Sequence, residues 1–236
     1  MKSAIAWLGI ELNVVSTREK WISAIGGFIS ILFLVLISQK TLHLPQATGL
    51  IASMGASAVL LFAVPHGQLS QPWPVLGGHC LSAFIGVACA RWIHPAPLAA
   101  ACAVGISIGV MHQLKCIHPP GGATALTAVL GGPAIHAMGF EFVFCPVFAN
   151  CLVMLGSAIV INSFFGWRRY PGAFNRPAMA TAKKAAVPSH EEVMEALRKL
   201  DSFVDISEDD LVRLVQILDA SKPAVSRPRT LVGKAG

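Results

Sequence analysis

From residue 21 to residue 165 the chain carries only four charged side chains, Lys40, Arg91, Lys115 and Glu141, in a run of 145 residues. A surface made from that stretch cannot face water. Its solvent is lipid, where backbone groups must bond among themselves and helices are the economical answer. The overall charged content of 13% is about half that of ordinary soluble domains, and the mean hydropathy is +0.64.

Prolines cut the run into segments. Apolar spans are expected at residues 21–38, 50–64, 75–93, 98–113 and 142–165, with a short one at 121–130. The breaks fall at Pro45, at Pro65 through Pro74, at Pro95 and Pro97, at Pro119 and Pro120, and at Pro133. Proline lacks an amide donor and clashes with the preceding helical turn. The 50–64 segment is about 23 Å long as a helix, which barely spans a hydrocarbon core of about 30 Å. Gly26 and Gly27 give the first span a small-residue face that another helix could approach. Trp167, Arg168, Arg169 and Tyr170 mark a lipid boundary after the last span.

The net charge of +6 comes from basic residues at membrane edges, Arg18 and Lys20 before the first span and Arg168, Arg169, Arg176, Lys183 and Lys184 after the last. No basic patch interleaved with aromatics points to nucleic acid. Basic flanks at both ends place both termini in the cytoplasm, with an even number of crossings in what reads as a bacterial inner membrane. Glu11 and Asn13 interrupt the first apolar run, so residues 1–20 read as an interfacial lead-in helix rather than a cleaved signal. Six cysteines without a CxxC pair indicate neither a zinc site nor a disulfide framework.

Two halves, 21–93 and 97–165, share an order: long span, proline turn, Gly-Ala-(Ser/Thr)-Ala, proline, closing span. Gly55-Ala56-Ser57-Ala58 matches Gly122-Ala123-Thr124-Ala125, and Pro74-Val75 before His79 matches Pro146-Val147 before Asn150. Such duplications are a common way to build transporters. Full crossing by both short segments makes three spans per half and an inverted repeat; re-entrant segments make four spans and parallel halves. The fold class is therefore an all-α polytopic bundle of four to six spans from two weakly similar halves.

Each Gly-Ala-(Ser/Thr)-Ala segment is expected to open a short helix behind a proline turn. There the free amides and the positive helix end can hold an anion, with the hydroxyls of Ser57 and Thr124 assisting. Pro119 and Pro120 stiffen the second turn, and Gly55, Gly121 and Gly122 permit close backbone approach. The competing reading is tight helix packing, the hydroxyls bonding one turn back. His118, His112 and His79 are ionisable groups close to the apolar region, and Asn150 is the polar counterpart of His79. His43, His66, His94 and His136 are assigned to the interface. No HxxxH or HExxH spacing supports a metal. With Glu11, Glu19 and Glu141 the only carboxylates before residue 165, a hydrolytic triad has no partner for histidine. The chain reads as a non-enzyme without a cofactor. Its partners are the bilayer and a small inorganic anion, and a homo-oligomer is among the assemblies this pattern allows.

The segment His118-Pro119-Pro120-Gly121-Gly122-Ala123-Thr124-Ala125-Leu126 resembles the HPP family of integral membrane proteins, named for that tripeptide. Met54 through Phe62, Gln71-Pro72-Trp73 and Gly78-His79 resemble family segments as well, so the likeness spans roughly residues 18 to 171. It departs at Gly121, where alanine is usual, and at Pro74, where asparagine is commoner. The resemblance implies about four spans and a transporter or channel for a small anion, nitrite being the substrate associated with some members.

Nine of the twelve acidic residues follow residue 190. Ser189-His190-Glu191-Glu192 reads as a capping box, and a second helix opens at Ser207, giving a cytosolic helical hairpin over 189–220 after a linker at 171–188 and before a flexible tail at 221–236. This hairpin supports an alternative function, a membrane sensor or scaffold that recruits a cytosolic partner.

Overall fold

The computed structural model describes residues 15–42 and 48–175; the lead-in before residue 15, most of the linker, the hairpin and the tail lie outside them. Seven α-helices occur among the described residues: α1 Thr17–Leu42, α2 Thr48–Ala63, α3 Pro72–Trp92, α4 Ala96–Gln113, α5 Pro119–Leu130, α6 Pro133–Met138 and α7 Ala149–Ser163. The chain enters α7 through a π-helical turn, Val143–Phe148, kinked at Cys145 where Pro146 removes a backbone donor. The prolines at the first or second positions of α3, α4, α5 and α6 start those helices, a place where the missing amide is not needed.

Among the described residues four segments are long and apolar enough to cross a membrane: Thr17–Ser38, Pro72–Trp92, Ala96–Gln113 and Val143–Ser163. Of the three shorter helices, α2 and α5 run in the alternating direction as well. Along α1 and α7 the contacts pair Ser38 with Asn150, Ser30 with Met154 and Gly26 with Ile161, so these helices are antiparallel. Gly78 lies against His118 and Gly86 against Ala128, so α3 and α5 are parallel, with α4 returning between them. Taken in order, α1 is thus opposite in sense to α4, α2 to α5 and α3 to α7. Three helices per half with inverted direction is one of the two arrangements left open by the sequence.

Small residues set the spacing. A methyl on Gly78 would stand 2.5 Å from the His118 Cβ, and one on Gly86 would stand 2.7 Å from the Ala125 carbonyl oxygen. Glycine at both positions lets α3 and α5 pack backbone to backbone, where van der Waals contact replaces the hydrophobic drive that lipid does not supply. Large apolar side chains such as Phe28, Phe33, Phe144 and Phe164 point outward.

One end of the bundle is fastened by a buried ion pair between Glu19 at the start of α1 and Arg168 after α7. Arg168 also donates to the Phe62 carbonyl and to Asn162 Oδ1, and Asn162 donates to the Leu61 carbonyl, so both cap the carbonyl end of α2. Burial lowers the Arg168 pKa to about 10, which leaves the guanidinium charged at neutral pH. Tyr170 donates to the Ser70 carbonyl, and the Gly172 amide donates to Gln71 Oε1. These bonds hold the α2–α3 loop beneath the bundle.

Candidate functional site

Four polar side chains from three helices and one helix cap meet inside the bundle: Ser57 of α2, His79 of α3, Thr124 of α5 and His118, which caps α5. All four are 0% exposed. Ser57 Oγ lies 2.8 Å from His79 Nε2 and 2.9 Å from His118 Nε2. His79 Nδ1 lies 2.7 Å from Thr124 Oγ1, and His118 Nδ1 lies 2.8 Å from the Leu69 carbonyl oxygen of the α2–α3 loop. The two rings stand edge to face with centroids 4.9 Å apart.

Local sequence explains the convergence. Gly77 and Gly78 precede His79 and allow His118 to sit against the α3 backbone. Extended dihedrals at His118 (φ −142°, ψ 100°) are those expected before a proline, and they turn the chain into α5. Ser57 and Thr124, the matched hydroxyls of the two halves, reach opposite nitrogens of one imidazole.

Other expected site residues fall elsewhere. Gly55 and Ser57 sit within α2 rather than at its start, and Gly55 faces an apolar groove of about 620 Å³ between α1 and α2. The first of the two proposed helix-start anion sites is therefore absent from the geometry. At the second, Pro119 and Pro120 carry no amide hydrogen, the Gly121 amide donates to the His118 carbonyl at 2.8 Å, and Gly121 is pressed against the Gly78 carbonyl. That helix end is packed against protein and offers an anion few donors. Gly122 has open space beside it. Asn150 accepts from Ser38 Oγ at 3.2 Å on the α1–α7 contact, and His112 is exposed in the last turn of α4.

Sequence reasoning missed two participants, the carbonyls of Leu69 and Ser53. Ser57 Oγ reaches the Ser53 carbonyl at 3.2 Å. Backbone acceptors leave no trace in residue type. It also assigned His136 to the interface and gave Arg91 no role, yet both line a second cavity of about 300 Å³ with Val87, Ala128, Ile135 and Gly139. Arg91 lies twelve residues beyond His79 on α3, about 18 Å away along the axis and toward the opposite end of the bundle. Among the described residues no three His, Cys, Asp or Glu side chains gather as a metal site would need.

An all-helical bundle with apolar faces and a fully buried histidine–hydroxyl cluster is an integral membrane protein. The profile of the HPP transmembrane region matches residues 12–171, and the chain belongs to that family. It is similar to two proteins of Dictyostelium discoideum that are named only as transmembrane proteins. One is 38% identical over 70% of this chain and 55% of its own length; the other is 40% identical over 62% and 53%. The chain thus spans about half the length of these curated relatives. No solved structure matches it significantly.

Proposed function

We propose that the chain is a membrane transporter for a small anion, with nitrite the first substrate to test. The observation that carries this reading is the cluster of Ser57, His79, His118 and Thr124, four polar side chains without any exposure in an apolar bundle. Ionisable groups at membrane depth are costly and rare, and they mark solute paths and proton relays. Inverted three-helix halves meeting at a central polar site support the same reading, because rocking one half against the other can expose such a site to each side in turn.

The cavity at Arg91 and His136 supplies a mouth. Arg91 brings a positive charge to the far end of α3, which draws an anion toward the bundle. The cluster, not the pair of helix starts, is then where the solute is handled. Arg18, Lys20, Arg168 and Arg169 share the end nearest His118, which supports a cytoplasmic orientation for this end, with the Arg91 cavity toward the other side.

Nitrite uptake into proteoliposomes tests the reading. Uptake above that of empty liposomes across pH and membrane potential is expected. Equal uptake with folded protein would remove nitrite as the substrate, and the same result over a panel of small anions would end the transport reading.

A further inference from the structure

The hydrogen bonds of the cluster allow one proton arrangement in its neutral state, and they contain a ready place for one more proton. A carbonyl only accepts, so Leu69 fixes the hydrogen of neutral His118 on Nδ1. Its Nε2 is then a lone pair, and the Ser57 hydroxyl must donate to it. With its single hydrogen committed there, Ser57 Oγ accepts from His79, which therefore carries its hydrogen on Nε2. His79 Nδ1 is in turn a lone pair, and Thr124 donates to it. The chain of donation runs one way, from Thr124 through His79, Ser57 and His118 to Leu69.

Two carbonyls one turn back remain in reserve, Ser53 at 3.2 Å from Ser57 Oγ and Pro120 at 3.4 Å from Thr124 Oγ1. When a proton arrives on His118 Nε2, that nitrogen donates to Ser57, and the Ser57 hydrogen swings to the Ser53 carbonyl. Alternatively the charge moves to His79. Then Thr124 accepts from His79 Nδ1 and donates to the Pro120 carbonyl, while Ser57 accepts from His79 Nε2 and donates to the lone pair of neutral His118; passing that hydrogen to His118 Nε2 while taking the one from His79 Nε2 moves the charge to His118 and leaves neutral His79 with its hydrogen on Nδ1. Every polar atom stays bonded in each state. Two charged rings 4.9 Å apart would repel, so the pair takes one proton and not two.

The groups facing the rings are few. α2 offers Ser57 and the Ser53 carbonyl, the loop offers Leu69, and α5 offers Thr124 and the Pro120 carbonyl. The thiol of Cys116 lies against Gly77, and Cys80 follows His79 in α3. None of the hydrogen bonds given to the four side chains comes from Asp, Glu, Lys or Arg.

We propose that the solute crosses together with one proton, held by the His79–His118 pair and passed through the Ser57 hydroxyl, which is the switch between its loaded and empty states. This rests on the transport reading above. The proton enters from water on one side, resides on one imidazole and leaves to water on the other, so a monovalent anion and its proton cross without net charge.

Nitrogen NMR of the full chain, labelled at histidine and held in nanodiscs, tests the storage site without reference to transport. At neutral pH His79 should carry hydrogen on Nε2 and His118 on Nδ1, and acid should add one proton to the pair. The opposite tautomers, or two protons taken up independently, would overturn the proposal and leave the transport reading standing. In proteoliposomes, uptake recorded beside an internal pH dye should show one proton per anion. An imposed pH gradient should drive uptake in the wild type and in Ser57→Thr, and at least about tenfold less in Ser57→Ala. Anion flux without proton movement, or equal drive in Ser57→Ala, would overturn coupling; no flux in any form would instead strike the transport reading.

Discussion

Ser57 and Thr124 hold opposite nitrogens of the His79 ring, at 2.8 Å and 2.7 Å. They belong to the two Gly-Ala-(Ser/Thr)-Ala segments matched in the sequence, one in α2 and one in α5, and both reach a single imidazole. Replacing Thr124 with valine keeps the shape and leaves His79 Nδ1 without its donor. A buried unmet acceptor costs about 1–3 kcal/mol. Thr124→Val should lower thermal stability in detergent by that order and cut anion uptake, whereas Thr124→Ser, which restores the hydroxyl, should recover most of both.

Close packing at Gly78 makes a sharper prediction. A methyl there meets the Cβ and backbone of His118, which cannot yield as the tip of a flexible side chain could. Gly78→Ala should destabilise the protein by about 1–3 kcal/mol through overpacking, with His118 displaced from Leu69. Gly122→Ala, beside open space, should have little effect on the melting temperature.

The Glu19–Arg168 pair should matter more than its surface neighbours. Removing one partner leaves the other charged and buried, at a cost of about 3–5 kcal/mol. Glu19→Gln is expected to show this loss in thermal unfolding. Lys20→Ala, exposed on the same turn, should stay close to wild type.

Arg91 separates access from chemistry. If its guanidinium draws anions into the far cavity, Arg91→Ala should raise the half-saturating concentration for uptake about tenfold at low salt and leave the maximal rate nearer to wild type. High salt should narrow the difference, because screening already weakens the attraction. Initial rates across concentration and ionic strength would check it.

Much of the architecture is legible in the sequence. Proline breaks located the helices to within a few residues, though α1 begins at Thr17 rather than residue 21 and Pro146 kinks the entrance to the last span. The site was legible only in part. His79, His118, Ser57 and Thr124 stood out as polar residues in apolar surroundings, and so did Asn150, His112 and Gly55, which the fold sends elsewhere.

What the sequence determined by itself is the solvent and the punctuation: a chain with four charges in 145 residues must lie in lipid, and its prolines decide where helices begin. Tertiary structure decided which polar residues face one another. Helices immersed in lipid are apolar all round, so no amphipathic stripe reports the rotation of each about its axis. That rotation is set by where glycines such as Gly78 and Gly86 let two backbones touch, and it turns Ser57, in mid-helix, onto both histidines.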